Sequence, residues 1–438
     1  MALADPYPIQ PIQGPLDATV ELPGSKSATN RALVCAALAT GSSELVGALE
    51  ADDTFAMIDG LRALGVRIET DWPAARIVVQ GCRGRPPADL ALVDARLSGT
   101  TSRFLLPIAA LSSGTTRMDG ALGLRARPMG PAIDAVRALG AQVTEIGSPG
   151  HLPVELHGGP FAGGEVALPG DTSSQFLSGL LLAGPAMRTG LIVRLTTELV
   201  SRPYVEMTTS VMAAFGVLVE RPDDRTWVVP PADYAGTTYI VEPDASAASY
   251  AFGAAAIVGG RVTVPGLTSS SMQGDVDLVH VLARMGATVE EDDTSLSVIG
   301  SGKLSGVEAD LSQISDVAQT LAVVAAFADS PSRFTGIGFI RQKETDRVGH
   351  VVTELRRAGV GATEEADGYT IDPALITSAT IETYGDHRMA MAFALLGLRA
   401  PGIRISDPGC VAKTFPGYWA MLQRLREGPR SPARVPGS

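Results

Sequence analysis

The sequence predicts an α/β protein assembled from six copies of one unit, each a strand, a small polar turn and an apolar helix. Two observations predict it. The pattern A-T-V-E-L-P-G-S-K-S-A-T-N-R recurs as V-D-A-R-L-S-G-T-T-S-R, V-A-L-P-G-D-T-S-S-Q, I-V-E-P-D-A-S-A-A, I-S-D-V-A-Q-T and E-T-Y-G-D-H-R. With Ser25, Ser98, Thr172, Asp244, Asp316 and Asp386 as anchors, the intervals are 73, 74, 72, 72 and 70 residues. Between 40 and 44 residues after each anchor stands a glycine, at Gly65, Gly140, Gly216, Gly286, Gly359 and Gly428. In the first five copies it follows an amphipathic run and precedes β-branched or small residues, the position of a helix C-cap, where glycine takes φ > 0 without a Cβ penalty.

The sixth copy ends without a closing strand, whereas the N-terminus carries a spare extended segment from Tyr7 to Leu22. The start of the chain is therefore expected to complete the last unit. A chain of 438 residues exceeds one ordinary core and implies two or three domains. Its 45% hydrophobic and 19% charged residues are those of a folded globular protein. No apolar run is long enough for a membrane span and the first ten residues lack a signal-peptide pattern, so a soluble cytoplasmic protein is expected. Cys35, Cys82 and Cys410 lie far apart, which suits a reducing compartment. The five histidines form no metal-binding pair, and neither a Walker A nor a G-x-G-x-x-G motif is present, so neither metal nor nucleotide cofactor is expected.

A net charge of −12 disfavours nucleic acid and anionic membrane unless positive charge is gathered locally. Only four of the 35 basic residues are lysine, and Lys26, Lys343 and Lys413 all fall in polar, turn-flanked segments. In the first repeat Lys26 and Arg31 bracket a helix start together with Ser25, Ser27 and Thr29. Backbone amides, hydroxyls and cations converging there make an anion site, although serine at such a place is also an ordinary N-cap. The next segment, with A-D-D-T, reads as a structural turn and helix start. The second repeat offers Gly99, where backbone can approach a ligand, then Arg103, and a Gly/Pro-punctuated loop, Leu122 to Pro131, with Arg125 and Arg127. Ser173, Ser174, Gln175, Ser201 and Tyr204 add neutral hydrogen-bonding groups. Beyond Glu242 the helix starts become acidic. Asp244 reads as a cap; Asp316, ahead of a long apolar helix, could bind a hydroxyl or take a proton. In R-Q-K-E-T-D-R, a helical reading puts Lys343 and Arg347 on one face at i,i+4 with Glu344 pointing elsewhere. Arg388 and Lys413 contribute two further cations.

Taken together, P-G-S-K-S-x-x-N-R, S-G-T-x-x-R, S-S-Q-F, S-x-P-Y, S-M-Q-G-D, K-E-T-D-R, G-D-H-R-M-A-M and A-K-T-F-P, in this order from Leu22 to Pro416, resemble the 5-enolpyruvylshikimate-3-phosphate synthase family. The resemblance implies two domains of three βαβαββ units each, an inside-out α/β barrel arrangement with the ligand cleft between domains, residues 25–242 forming one domain and 1–24 with 243–438 the other. It implies the joining of phosphoenolpyruvate to the 5-hydroxyl of shikimate 3-phosphate with release of phosphate, in the shikimate pathway of aromatic amino-acid biosynthesis, by a monomer without cofactor.

Carried over by motif, phosphoenolpyruvate would meet Lys26, Gly99, Arg127, Gln175, Arg347, Arg388 and Lys413. Shikimate 3-phosphate would meet Ser27, Arg31, Ser173, Ser174, Ser201, Tyr204, Asp316 and Lys343. Asp316 and Lys343 would act at the attacking hydroxyl and Glu344 at the enolpyruvyl methylene, and Gly99 would abut glyphosate, an inhibitor slightly longer than phosphoenolpyruvate. Two positions depart from the pattern: Phe104 replaces a proline common after the S-G-T-x-x-R arginine, and Phe339 replaces a polar Asn or His four residues before Lys343. A sister transferase acting on UDP-N-acetylglucosamine shares the fold but normally carries Cys or Asp in its mobile loop; the loop Gly120 to Gly130 has neither. A catalytically inert anion-binding scaffold is the non-enzymatic alternative, against which intact Asp316, Lys343 and Glu344 argue.

Overall fold

The computed structural model describes residues 3–158 and 161–427. Two compact units emerge: one is Pro23–Glu242, and the other runs up to Leu22 and resumes at Pro243. Among the described residues there are six small sheets, one per repeat. The second-repeat sheet shows the plan. Leu90–Asp94 pairs parallel with Thr115–Asp119, which pairs antiparallel with Val154–His157, itself antiparallel to Gln142–Glu145. The parallel pair requires a crossover, and the repeat helix Gly99–Ala109 supplies it.

The segment Tyr7 to Leu22 does not serve one sheet, as the count of strands suggested. Tyr7–Pro8 joins the sixth sheet, antiparallel to Ile403–Ile405, whereas Leu16–Thr19 lies parallel to Gly260–Pro265 in the fourth. The matching place in the first sheet, beside Ser42–Val46, is taken by Thr238–Ile240. The strands that precede the chain's two crossings between units have thus been exchanged.

Within each unit three repeat helices are almost wholly buried: Lys26–Leu38, Gly99–Ala109 and Ser174–Ala183 in one, Ala245–Val258, Ala318–Ala325 and His387–Ala394 in the other. A helix apolar all round is an interior helix, and these are rich in Ala, Gly and Ser so that neighbours can approach closely. At Gly179 a Cβ would stand 2.4 Å from the Arg103 carbonyl oxygen of the adjacent helix. Gly65, Gly140, Gly216, Gly286 and Gly359 all have φ between 85° and 107°, as the C-cap reading requires. Gly428 lies outside the described residues. The first helix begins at Lys26, where the Ser25 hydroxyl accepts from the Ala28 amide and caps it. Lys26, Ser27 and Arg31 therefore sit on its opening turns.

Candidate functional site

In the unit Pro23–Glu242 the predicted residues gather at the starts of the three buried helices. Arg31 is buried, and its guanidinium donates to Thr208 Oγ1 at 2.7 Å, the Ser27 carbonyl at 2.8 Å and the Tyr204 carbonyl at 2.8 Å. Its face lies 5.1 Å from the Phe104 ring centroid and 6.0 Å from that of Tyr204. Phe104 thus fills the place beside a cation with an aromatic face. Burial pulls the Arg31 guanidinium down to about 10, which still leaves it charged at neutral pH. A buried cation whose hydrogen bonds all go to neutral oxygens favours an incoming anion.

The second focus is Gly99. The Arg127 guanidinium packs so tightly against its Cα that a Cβ there would lie 2.7 Å from Nη1. Arg127 is buried, whereas Arg125 from the same loop is half exposed and held by Asp119 at 2.8 Å through two bonds. Gln175, at the start of the third helix, accepts from Arg103 Nη1 at 2.7 Å and donates to Thr100 Oγ1 at 3.2 Å. Ser173 caps that helix through the Gln175 amide, and Ser174 is its first residue. Ser201 adopts φ 52°, a left-handed conformation that costs a non-glycine residue on the order of 1 kcal/mol or more. Tyr204 follows in the helix Pro203–Ala214. Lys26 pairs with Asp53 at 3.5 Å.

Asp53 is not read as a site residue from sequence, and Arg103, named beside Gly99, is given no ligand there. Asp53, in the A-D-D-T segment, is buried against Lys26 rather than being a simple helix-start carboxylate. Arg103 orients Gln175 while its guanidinium stacks 5.1 Å from the Phe176 ring. The arginine of S-G-T-x-x-R was the available signal for the second; nothing local announces the first.

In the other unit the charges form one cluster. Arg347, 1% exposed, contacts Asp386 at 2.7 Å, Glu344 at 2.7 Å and Asp316 at 3.3 Å. Burial opposes its charge, but the carboxylates of Asp386, Glu344 and Asp316 together hold its pKa above the ordinary value. Arg388 donates to the Asp316 carboxylate at 2.8 Å and to the Asp316 carbonyl at 2.8 Å. Its Nη2 also reaches Ser246 Oγ at 3.4 Å, and that hydroxyl donates to buried Asp275 of S-M-Q-G-D. Asp244 caps its helix through the Ala247 amide, as the simpler reading held. Asp386 caps His387–Ala394 and also receives Arg347. Lys413 is buried at the end of the 3₁₀ segment Pro408–Lys413.

The segment Lys343 to Arg347 is not helical, so the shared face for Lys343 and Arg347 does not exist. The Asp346 carboxylate accepts from the Val348 and Gly349 amides at 3.1 and 2.9 Å, starting a new helix, Gly349–Arg357, and leaving residues 343–346 in an irregular turn. In that turn Glu344 faces Arg347 instead of pointing away. The Lys343 ammonium stands 5.8 Å from the centroid of Phe339, so the residue that departs from the motif pattern meets a cation through its ring.

A sequence model described as EPSP synthase (3-phosphoshikimate 1-carboxyvinyltransferase) matches residues 11–422. The chain belongs to the EPSP synthase family. A 3-phosphoshikimate 1-carboxyvinyltransferase of Trichormus variabilis is 44% identical over 422 residues, covering 96% of this chain and 99% of the relative. One from Nostoc punctiforme is 45% identical over 424 residues, covering 97% and 100%. Among solved structures, the EPSP synthase of Acinetobacter baumannii superimposes with a TM-score of 0.80 at 28% identity, over 95% of this chain and 97% of that one. Family membership extends through both units, because the matched stretch spans all six repeats.

Proposed function

We infer that this chain transfers the enolpyruvyl group of phosphoenolpyruvate to the 5-hydroxyl of shikimate 3-phosphate and releases phosphate. The observation that carries the chemical reading is Arg347. One buried guanidinium touches both Asp316 and Glu344, the two carboxylates assigned to proton transfer. A carboxylate bound to a fixed cation has a fixed direction, which is what a proton carrier needs.

In the reaction so read, the 5-hydroxyl of the shikimate ring attacks C2 of phosphoenolpyruvate while its proton passes to Asp316 with Lys343 alongside. Glu344 delivers a proton to the methylene carbon, making a methyl group and a tetrahedral intermediate. Return of a proton from that methyl to Glu344 then breaks the C–O bond to phosphate, which is released, and restores the carbon–carbon double bond. Lys26, Gly99, Arg127, Gln175, Arg347, Arg388 and Lys413 receive phosphoenolpyruvate; Ser27, Arg31, Ser173, Ser174, Ser201, Tyr204, Asp316 and Lys343 receive shikimate 3-phosphate. The buried arginines support this assignment because carboxylate and phosphate are the ligands that a planar, permanently charged fork fits best. Catalysis is then mainly positioning and electrostatic stabilisation.

The chain is read as a cytoplasmic monomer, a setting that suits its three free cysteines; light scattering of the purified chain checks the first point and cell fractionation the second. The deciding experiment is phosphate release from phosphoenolpyruvate with shikimate 3-phosphate and UDP-N-acetylglucosamine offered separately. Turnover with the first alone is expected, and turnover with the second alone would overturn the reading.

A further inference from the structure

The turn that carries Asp386 is held in an unfavourable shape. Tyr384 has φ 54° and Gly385 φ 68°, and the Asp386 amide donates to the Thr383 carbonyl at 2.9 Å. Positive φ at both central positions is a type I′ turn, which prefers Asn-Gly or Gly-Gly. A tyrosine stays in that conformation only where its surroundings over-determine it.

The surroundings belong to one helix face. Tyr384 lies along Gly349–Arg357, with its ring stacked on His350 at a centroid distance of 3.7 Å and an interplanar angle of 5°. Its hydroxyl donates to Glu354 Oε1 at 2.7 Å. His350 and Glu354 are four residues apart, so the helix presents them one above the other, at a spacing that a tyrosine ring and its hydroxyl can span. Glu354 is fully buried; its other oxygen accepts from the Glu382 amide at 3.0 Å, and Arg357 pairs with it at 2.9 Å. Burial, and then the Glu354 carboxylate, push the Tyr384 hydroxyl up to about 12, so it remains a donor at neutral pH.

The other edge of the imidazole reaches a second segment. His350 Nδ1 is hydrogen-bonded to the Thr345 hydroxyl. Thr345 lies between Glu344 and Asp346 in the irregular turn, two residues from Arg347. His350 therefore touches both stretches whose carboxylates meet Arg347: residues 343–347 through Thr345, and residues 383–386 through Tyr384.

We propose that His350 is a positioning residue for enolpyruvyl transfer, pinning the Glu344-bearing turn and the Asp386-bearing turn to one helix so that Glu344 and Arg347 keep their alignment. It touches no reacting atom, and the proposal rests on the assigned reaction. Neither half of the contact is replaceable by a generic side chain: the flat ring supports Tyr384, and Nδ1 anchors Thr345. Phenylalanine would keep the plate and lose the anchor, and valine at 345 would lose the same anchor from the other side.

The test is a double-variant cycle on the full chain, with phosphate release as the readout and thermal unfolding as a fold control. His350→Phe and Thr345→Val are each expected to lower kcat roughly five- to tenfold, with KM for both substrates within about twofold. The double variant should be no slower than the slower single, since both remove one contact. Wild-type kcat in both singles, a loss of melting temperature without loss of kcat, or multiplying losses would each overturn the proposal. The contact is also read independently of the reaction, by the ¹⁵N resonance of His350 Nδ1. If Thr345→Val shifts it, the anchor exists whatever the chain catalyses; an unmoved resonance refutes it even where turnover falls.

Discussion

Replacing Gly99 by alanine tests the proposed phosphoenolpyruvate site at the contact between Gly99 and Arg127. The added methyl would lie 2.7 Å from Arg127 Nη1, 2.9 Å from Cζ and 3.0 Å from Nη2, with no backbone atom among its three nearest contacts. Ordinary carbon contact begins near 3.4 Å, so the guanidinium must retreat by roughly 0.4–0.7 Å. It can do so, being the far end of a flexible side chain. The backbone does not oppose the change either: Gly99 is the first residue of a helix already capped by Ser98, where alanine is the better helix former. Stability is therefore expected to hold or rise slightly.

Ligand binding takes the loss. A charge-assisted hydrogen bond contributes about 1.5–3 kcal/mol, and half an ångström of misplacement removes a good part of it, about 1–2 kcal/mol. That corresponds to a rise of roughly five- to thirtyfold in KM for phosphoenolpyruvate. On the proposed assignment Arg127 would hold a carboxylate or phosphate that stays charged throughout the reaction, so kcat should change much less. The methyl meets the Arg127 guanidinium, so its effect is expected to fall on glyphosate, which the resemblance places against Gly99, as well as on phosphoenolpyruvate. Both constants should rise, that of glyphosate at least as much as KM. Steady-state kinetics of Gly99→Ala, Arg127→Lys and the double variant decide the point. The shorter lysine leaves room for the methyl, so the two changes should be strongly non-additive. An unchanged KM in folded Gly99→Ala, or full additivity, would show that Gly99 does not act through Arg127.

Three further outcomes follow from particular contacts. Glu344→Gln keeps the size and the neighbourhood of Arg347 but carries no proton, so turnover should fall roughly 10²-fold or more while substrate affinity, measured by calorimetry, survives. Gly179→Ala would place a methyl 2.4 Å from the Arg103 carbonyl of the adjoining buried helix, a backbone contact that cannot yield cheaply; a loss of about 1–3 kcal/mol should appear as a lower melting temperature, and an unchanged one would mean that the helices can separate without cost. Arg333 and then Thr370 bind the Glu365 carboxylate and hold its pKa down to about 2, below the 4.5 of an unconstrained glutamate. The stability it contributes is present above pH 4.5 and is lost as pH falls toward 2, so urea titrations of wild type and Glu365→Gln should differ at pH 7 and converge near pH 2.

What the sequence made legible and what it hid divide along a physical line. Helix ends could be read because a C-cap glycine and an N-cap serine or aspartate act within four residues of chain. The exchange of Leu16–Thr19 for Thr238–Ile240 could not, because strands of equal quality pair by tertiary placement rather than by local pattern. The helical reading of Lys343 to Arg347 failed for a local reason of comparable strength, the Asp346 carboxylate competing for the following amides. The partnerships inside the site were, however, encoded in the repeat itself. Arg103 meets Gln175 across 72 residues and Arg388 meets Asp316 across 72; Gln175 meets Thr100 across 75, and Ser249 meets Thr320 across 71. These separations are the repeat period. Equivalent helix starts of successive repeats are neighbours in each unit, so a residue's partner is to be sought one period away, at the same place in the next copy. Such a plan divides each charge or hydrogen-bond pair between two repeats, and this is why reading any single motif as a site by itself understates it: Asp316 considered alone is one carboxylate ahead of an apolar helix, but with Arg388 one period later it becomes half of an ion pair.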